Sequence, residues 1–144
     1  MPFRTADAEW KGNLLQGTGR ITLQSGAMDA PYDFRARTAD GVTQASTNPE
    51  ELVGAAHAGC FTMQLSALLG NAGFTPTRLH TVAKVHIEKQ GAGFAIPKIE
   101  LETEGTVPGL DAAGFQKHAE TAKAGCPVSK ALAGTTITLK AKLV

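Results

Sequence analysis

Apolar and polar positions along the chain alternate, run together and alternate again, and each change of pattern marks a change of element. The first third is cut into short segments by glycine and proline. Residues 8–12, 17–23 and 32–37 predict three strands of a meander. In the last of them Tyr32, Phe34 and Ala36 would point to one side, and Arg35 and Arg37 would share the other. The pattern changes at Thr47-Asn48-Pro49-Glu50-Glu51. Asn48 suits a helix N-cap, Pro49 the first helical position, and Glu50 and Glu51 the first turn, with Glu51 at the capping-box position. This helix should run to about residue 69 and stop at Gly70-Asn71-Ala72-Gly73. Its apolar residues fall on nearly every face, which predicts burial on more than one side.

Alternation then returns. Leu79, Thr81, Ala83, Val85 and Ile87 interleave with His80, Val82, Lys84, His86 and Glu88, the period of a strand. Gly91-Ala92-Gly93 turns it into a second strand, 94–107, to make a hairpin. Asp111 is placed to cap a helix through about residue 123, with Phe115, Ala119 and Ala122 on its apolar face, and Gly125 ends it. Pro127 can start one short helical turn, and Ile137, Leu139, Ala141 and Leu143 alternate in a last strand. The order β-β-β-α-β-β-α-β predicts an α+β fold with antiparallel sheet, in one domain covering residues 1–144. A helix apolar all round needs more cover than one small sheet provides, so a second chain is expected.

Composition narrows the function without choosing it. A chain of 144 residues can bury a core without staples. A formal charge of +1 gives no electrostatic case for nucleic acid or an anionic membrane. Met1-Pro2-Phe3-Arg4-Thr5-Ala6-Asp7 lacks the apolar region of a signal peptide. The apolar stretch 52–69 is interrupted by His57, Thr62, Gln64 and Ser66, so it reads as a core helix and not a membrane span. A cytoplasmic location is therefore expected, where a lasting structural disulfide is disfavoured.

Few residues can carry chemistry. The two cysteines stand apart: Cys60 inside the apolar helix, Cys126 at the break Ala124-Gly125-Cys126-Pro127-Val128. A thiol in apolar surroundings keeps its proton unless a cation offsets the desolvation, so an inert core residue is the plain reading of Cys60. Arg35 or Arg37, facing the helix, could be that cation. His57 precedes Cys60 by three residues and shares its helix face. That spacing allows a Cys–His nucleophile pair, or part of a zinc site with Cys126. Glu50 either stabilises the helix N-terminus by ~0.3–1 kcal/mol or holds an arginine through bidentate hydrogen bonds. Ten residues of helix put Glu50 about 15 Å from Cys60. The two cannot line one small site on one straight helix, so Glu50 comes from a neighbouring chain, or the helix breaks, or Glu50 is not catalytic.

The segment Thr47-Asn48-Pro49-Glu50-Glu51-Leu52-Val53-Gly54-Ala55-Ala56-His57-Ala58-Gly59-Cys60-Phe61 resembles the peroxidatic helix of the OsmC/Ohr family of thiol peroxidases, and Gly54-Ala55-Ala56-His57 looks like its OsmC branch. Ala122-Lys123-Ala124-Gly125-Cys126-Pro127-Val128-Ser129 is similar to the family's second-cysteine motif. Leu69-Gly70-Asn71-Ala72-Gly73-Phe74-Thr75-Pro76-Thr77 and Ala92-Gly93-Phe94-Ala95-Ile96 extend the likeness across the chain. Gly59 departs from the alanine usual before the nucleophile, at a cost of about 1 kcal/mol to the helix.

The resemblance implies a sheet wrapped around a long central helix in an intertwined homodimer, with active sites at the interface. It makes Cys60 the peroxidatic and Cys126 the resolving cysteine, Arg37 the active-site arginine and Glu50 its carboxylate. It implies reduction of organic hydroperoxides, and more weakly hydrogen peroxide, in oxidative or osmotic stress defence. No metal or other cofactor is implied, and an external dithiol of lipoyl type would recycle the enzyme. Phe61, Met63 and Leu52 would then suit an alkyl tail. Two other readings compete: a non-catalytic small-ligand binder of the same fold, and a zinc-dependent hydrolase using His57, Cys60 and Cys126.

Overall fold

The computed structural model describes residues 1–41 and 45–144. They form two compact units, Met1–Leu52 and Val53–Val144.

In the first unit, β1 (Ala6–Lys11), β2 (Thr18–Leu23) and β3 (Asp29–Tyr32) make an antiparallel meander with β2 in the centre. Gly19 of β2 lies opposite Trp10 on one side and Tyr32 on the other. The two rings approach to 5.4 Å between centroids over it. A Cβ on Gly19 would collide with both rings, so only glycine lets the pair close.

The strand expected over residues 32–37 ends early. Asp33 accepts a hydrogen bond from the Ala36 N–H at 2.7 Å and caps a short helix, α1 (Phe34–Thr38). Asn48 Nδ2 holds the Ala36 carbonyl at 2.9 Å. A six-residue alternation also fits one and a half turns of helix, and the side-chain cap decides for the helix. The consequence is large for the arginines. On a strand they would share a face; on a helix, residues two apart point to opposite sides. Arg35 is exposed and Arg37 half-buried.

α2 (Pro49–Asn71) starts and stops close to expectation. Asn48 Oδ1 accepts from the Glu51 N–H at 2.8 Å, as an N-cap does. The helix is unbroken over its whole length. By length and composition it could cross a membrane, with a mean hydropathy of 1.4. Its Phe61, Leu65 and Leu69 are instead buried in the core of the second unit.

That unit holds β4 (Arg78–Gln90), β5 (Gly93–Thr106) and β6 (Thr136–Leu143), with α3 (Ala112–Gly125) and α4 (Pro127–Ala131) between β5 and β6. β4 and β5 form the expected hairpin, and Gly91 takes the left-handed turn conformation at φ 60°. β6 pairs with β5 in parallel, Ile99 beside Ile137 and Leu101 beside Leu139, so the sheet is mixed where an antiparallel one was expected. Alternation says which side chains face inward but not which way a strand runs. The chain leaves β5, crosses through α3 and α4, and re-enters in the same direction, the crossover that a parallel pair requires.

One face of this sheet packs on α2 and α3. Phe61, Leu65 and Leu69 meet Ile99 and Leu101 of β5 and Phe115, Ala119 and Ala122 of α3. The Phe115 ring lies where a side chain at Gly105 would be, about 2.5 Å from an ideal Cβ. Each fully buried side chain of this size stabilises the unit by about 1.5–3 kcal/mol. The other face carries Lys84, His86, Glu100, Glu102 and Lys140 in cross-strand ion pairs, and Lys98 pairs with Glu100 along β5.

Candidate active site

Two constellations of chemically capable residues form, one in each unit. In the first, α1 presents Arg37 to Glu50 at the start of α2. Arg37 Nε donates to Glu50 Oε1 at 2.9 Å, and Nη2 forms an ion pair with the same oxygen at 2.9 Å. This is a fork on one oxygen, not the two parallel bonds of a bidentate pair. Glu50 is only 6% exposed, and its Oε2 is buried with no hydrogen-bond partner among the described residues. Arg37 also lines a cavity of about 440 Å³ with Trp10, Leu14, Tyr32, Phe34 and Pro49. The sequence reading missed Trp10 and Tyr32 here. The available signal was the chain's only tryptophan and only tyrosine in flanking strands of one meander.

In the second unit, α2 carries Cys60 and the α3–α4 junction carries Cys126. The thiols lie near enough for each to shift the other's pKa, and they are not joined in a disulfide. Cys126 closes α3, its N–H bonded to the Ala122 carbonyl at 2.9 Å, and opens α4 before Pro127. It is fully buried, whereas Cys60 is partly exposed. Burial pushes the Cys60 thiol up, the bond with Cys126 adds to this, and the Val128 N–H opposes it. Burial also acts to raise Cys126, but hydrogen bonds from Cys60, from the Ser129 N–H and hydroxyl, and from the Val128 N–H outweigh it. The net shift of Cys126 is downward. Within one chain the surroundings therefore favour a thiolate at Cys126 over one at Cys60.

His57 is fully buried one turn before Cys60. Its Nε2 lies 2.7 Å from Ser129 Oγ, and its Nδ1 is buried with no partner among the described residues. Burial lowers its pKa, so the ring is neutral at pH 7. Ser129 was not singled out from sequence, although its place three residues after Cys126 in a Pro-initiated turn puts it on the thiol's side. Among the described residues no three His, Cys, Asp or Glu side chains gather as a metal-ion site, so the zinc reading has no ligand set. Of the residues expected to hold an alkyl tail, Phe61 has no exposed surface, Met63 is 76% exposed and Leu52 is half-buried.

Comparison with known proteins decides the family. The family model described as OsmC-like protein matches residues 41–141. Peroxiredoxin OsmC of Escherichia coli K12 is 49% identical over 130 residues, spanning 90% of this chain and 89% of that protein. The chain belongs to the OsmC family. With that relative it is a thiol-dependent peroxidase. The OsmC/Ohr architecture is shared with solved structures. The organic hydroperoxide resistance protein OhrB of Bacillus subtilis matches with a TM-score of 0.66 at 26% identity, over 97% of this chain and 98% of that one. An organic hydroperoxide resistance protein from Elizabethkingia anophelis has the same fold, with a TM-score of 0.71 at 24% identity, over 99% and 96%.

Proposed function

We propose that this OsmC-family chain reduces organic hydroperoxides, acting as a single domain within a cytoplasmic homodimer, with Cys60 as the peroxidatic and Cys126 as the resolving thiol. The observation that carries this reading is the approach of two thiols far apart in sequence, close enough for each to shift the other's pKa. The Cys60 thiolate attacks the terminal oxygen of ROOH, the O–O bond breaks, and the alkoxide leaves and is protonated to the alcohol. Cys60 is now a sulfenic acid. Cys126 attacks its sulfur, the S–O bond breaks, water leaves, and a disulfide forms. An external dithiol, lipoyl-type in this reading, restores both thiols by exchange.

The single chain is poised against the first step, because Cys60 is raised and Cys126 lowered. A cation at Cys60 must reverse that order. In this reading it is Arg37, aimed by Glu50 and supplied by a second copy. The unbroken α2 supports this, since about 15 Å of helix separates Glu50 from Cys60. So does the exposed side of α2, where Ala55, Ala56, Gly59, Met63 and Ala67 offer the small and apolar surface a second chain could cover. The apolar tail of the peroxide lies between the aromatic walls of the Arg37 cavity, extended by Leu52 and Met63, with Phe61 supporting the helix from behind.

Thiol counting after one equivalent of cumene hydroperoxide tests the reading. The wild-type protein loses both thiols to a disulfide. Cys60→Ser loses none, and Cys126→Ser loses one and stalls. Rapid thiol loss in Cys60→Ser would reject the assignment; no loss in the wild type would favour a non-catalytic ligand-binding module.

A further inference from the structure

We propose that the buried hydrogen bond between His57 and Ser129 is a clamp that holds Cys126 beside Cys60 for the disulfide-forming step. Both are positioning residues, and neither exchanges a proton with a thiol. The inference rests on the assignment of Cys126 as the resolving thiol.

The chain around Cys126 has little of its own to fix it. α4 has only five residues, too few for a helix to keep its shape without tertiary contacts. Cys126 stands at its N-cap with no side-chain cap bond. Val128 and Leu132 pack on the core, but apolar contacts carry no direction. The His57–Ser129 bond does: Nε2 lies 2.7 Å from Oγ across 72 residues of chain, with His57 fully buried and Ser129 7% exposed.

The place of this bond along α2 matters. His57, Cys60 and Gln64 lie on one face of the helix at successive turns. Ser129 meets His57, one turn before Cys60. The end of α3 meets Gln64, one turn after Cys60, where a Cβ on Gly125 would lie 3.5 Å from Gln64 Nε2. Segment 125–129 therefore passes along α2 in the opposite direction, fixed on both sides of Cys60, with Cys126 between the two contacts. Releasing the Ser129 end would leave Cys126 free to swing.

The imidazole is not there for packing alone. Its Nδ1 is buried with no partner among the described residues, and leucine would fill the space without leaving a nitrogen unpaired. What leucine lacks is the bond to Ser129. Either neutral tautomer makes that bond, since Nε2–H can donate to Oγ or the Ser129 O–H can donate to Nε2. In the step served, the Cys126 sulfur attacks the Cys60 sulfenic sulfur and the S–S bond forms. The S–O bond breaks, and hydroxide leaves with the thiol proton as water. The rate depends on how well the two sulfurs are aligned, and a misplacement of ~1 Å can cost about 100-fold.

Rapid-quench mass spectrometry with cumene hydroperoxide separates the two steps, dimedone trapping the sulfenic acid and intact mass reporting the disulfide. Ser129→Ala should slow disulfide formation by about 10–100-fold while Cys60 oxidation keeps its rate. Under excess peroxide its waiting sulfenic acid should go on to sulfinic acid. His57→Gln, whose amide can bond Ser129 from the same place but does not titrate, should form the disulfide at close to the wild-type rate. His57→Leu combined with Ser129→Ala removes both polar partners, so it should fold, yet still form the disulfide slowly. A wild-type disulfide rate in Ser129→Ala or in the paired variant overturns the clamp. So does a slow disulfide in His57→Gln, which would make the imidazole itself necessary. If Ser129→Ala does not fold, the paired variant decides. A wild-type protein that forms no Cys60–Cys126 disulfide would defeat the peroxidase assignment itself, a result distinct from a fast disulfide in Ser129→Ala.

Discussion

Arg37 and Glu50 show how much depends on the geometry of one pair. Nε donates to one carboxylate oxygen of Glu50 and Nη2 lies 2.9 Å from the same oxygen, which fixes the plane in which the guanidinium lies. Lysine would bring the charge but only a point donor, without the planar fork that Glu50 fixes, and in the proposed mechanism that plane orients the peroxide. Arg37→Lys is therefore expected to lower the second-order rate of Cys60 oxidation by about 100-fold, the loss typical of one misplaced transition-state donor. The later disulfide step should keep its rate. Stopped-flow traces under excess peroxide resolve the two. Oxidation of the lysine variant at the wild-type rate would remove Arg37 from the site.

At the scale of elements, α2 does two jobs with two faces. The face carrying His57, Phe61, Leu65 and Leu69 is buried, and a neutral histidine among those apolar residues couples the helix to pH. Burial depresses the folded-state pKa of His57 below its ordinary 6.5. A depressed base favours the folded state above its unfolded pKa, and that contribution is lost as pH falls through the lowered value. Urea midpoints should therefore drop between about pH 7.5 and 5 more in the wild type than in His57→Gln. An equal drop in both would mean that His57 is not the coupled group. On the second sheet, the Lys98 and His86 contacts hold Glu100 at about 2, so its contribution persists above pH 4.5 and is lost on acidification towards that value.

For the whole molecule, the proposed dimer puts its seam on the exposed side of α2. Met63, 76% exposed, stands among alanines and glycines of that side, and a Cβ on Gly59 would meet nothing within 4 Å. Placing a charge there is expected to separate the copies. Met63→Glu should sediment as a monomer, retain its far-ultraviolet circular dichroism and lose Cys60 oxidation. A dimer with full activity would move the interface elsewhere.

The helix α2 and the β4–β5 hairpin were legible in the sequence because their signals are local. Asn48-Pro49 is a start that neighbouring atoms enforce, and alternation through residues 79–88 names a buried face whatever lies against it. The two cysteine motifs were likewise legible as spaced words. Other features depended on residues distant in the chain. α1 replaced a strand because Asp33 and Asn48 hold its backbone polar groups. β6 ran parallel because α3 and α4 returned the chain to the same edge. Cys60 met Cys126, and His57 met Ser129, only when α4 packed beside α2. Local spacing specifies which groups are available; hydrogen bonds between distant segments determine which proton each one holds. In this protein the sequence alone determined the elements and the thiols, and the tertiary structure decided their partners, because a pKa is set by neighbours in space.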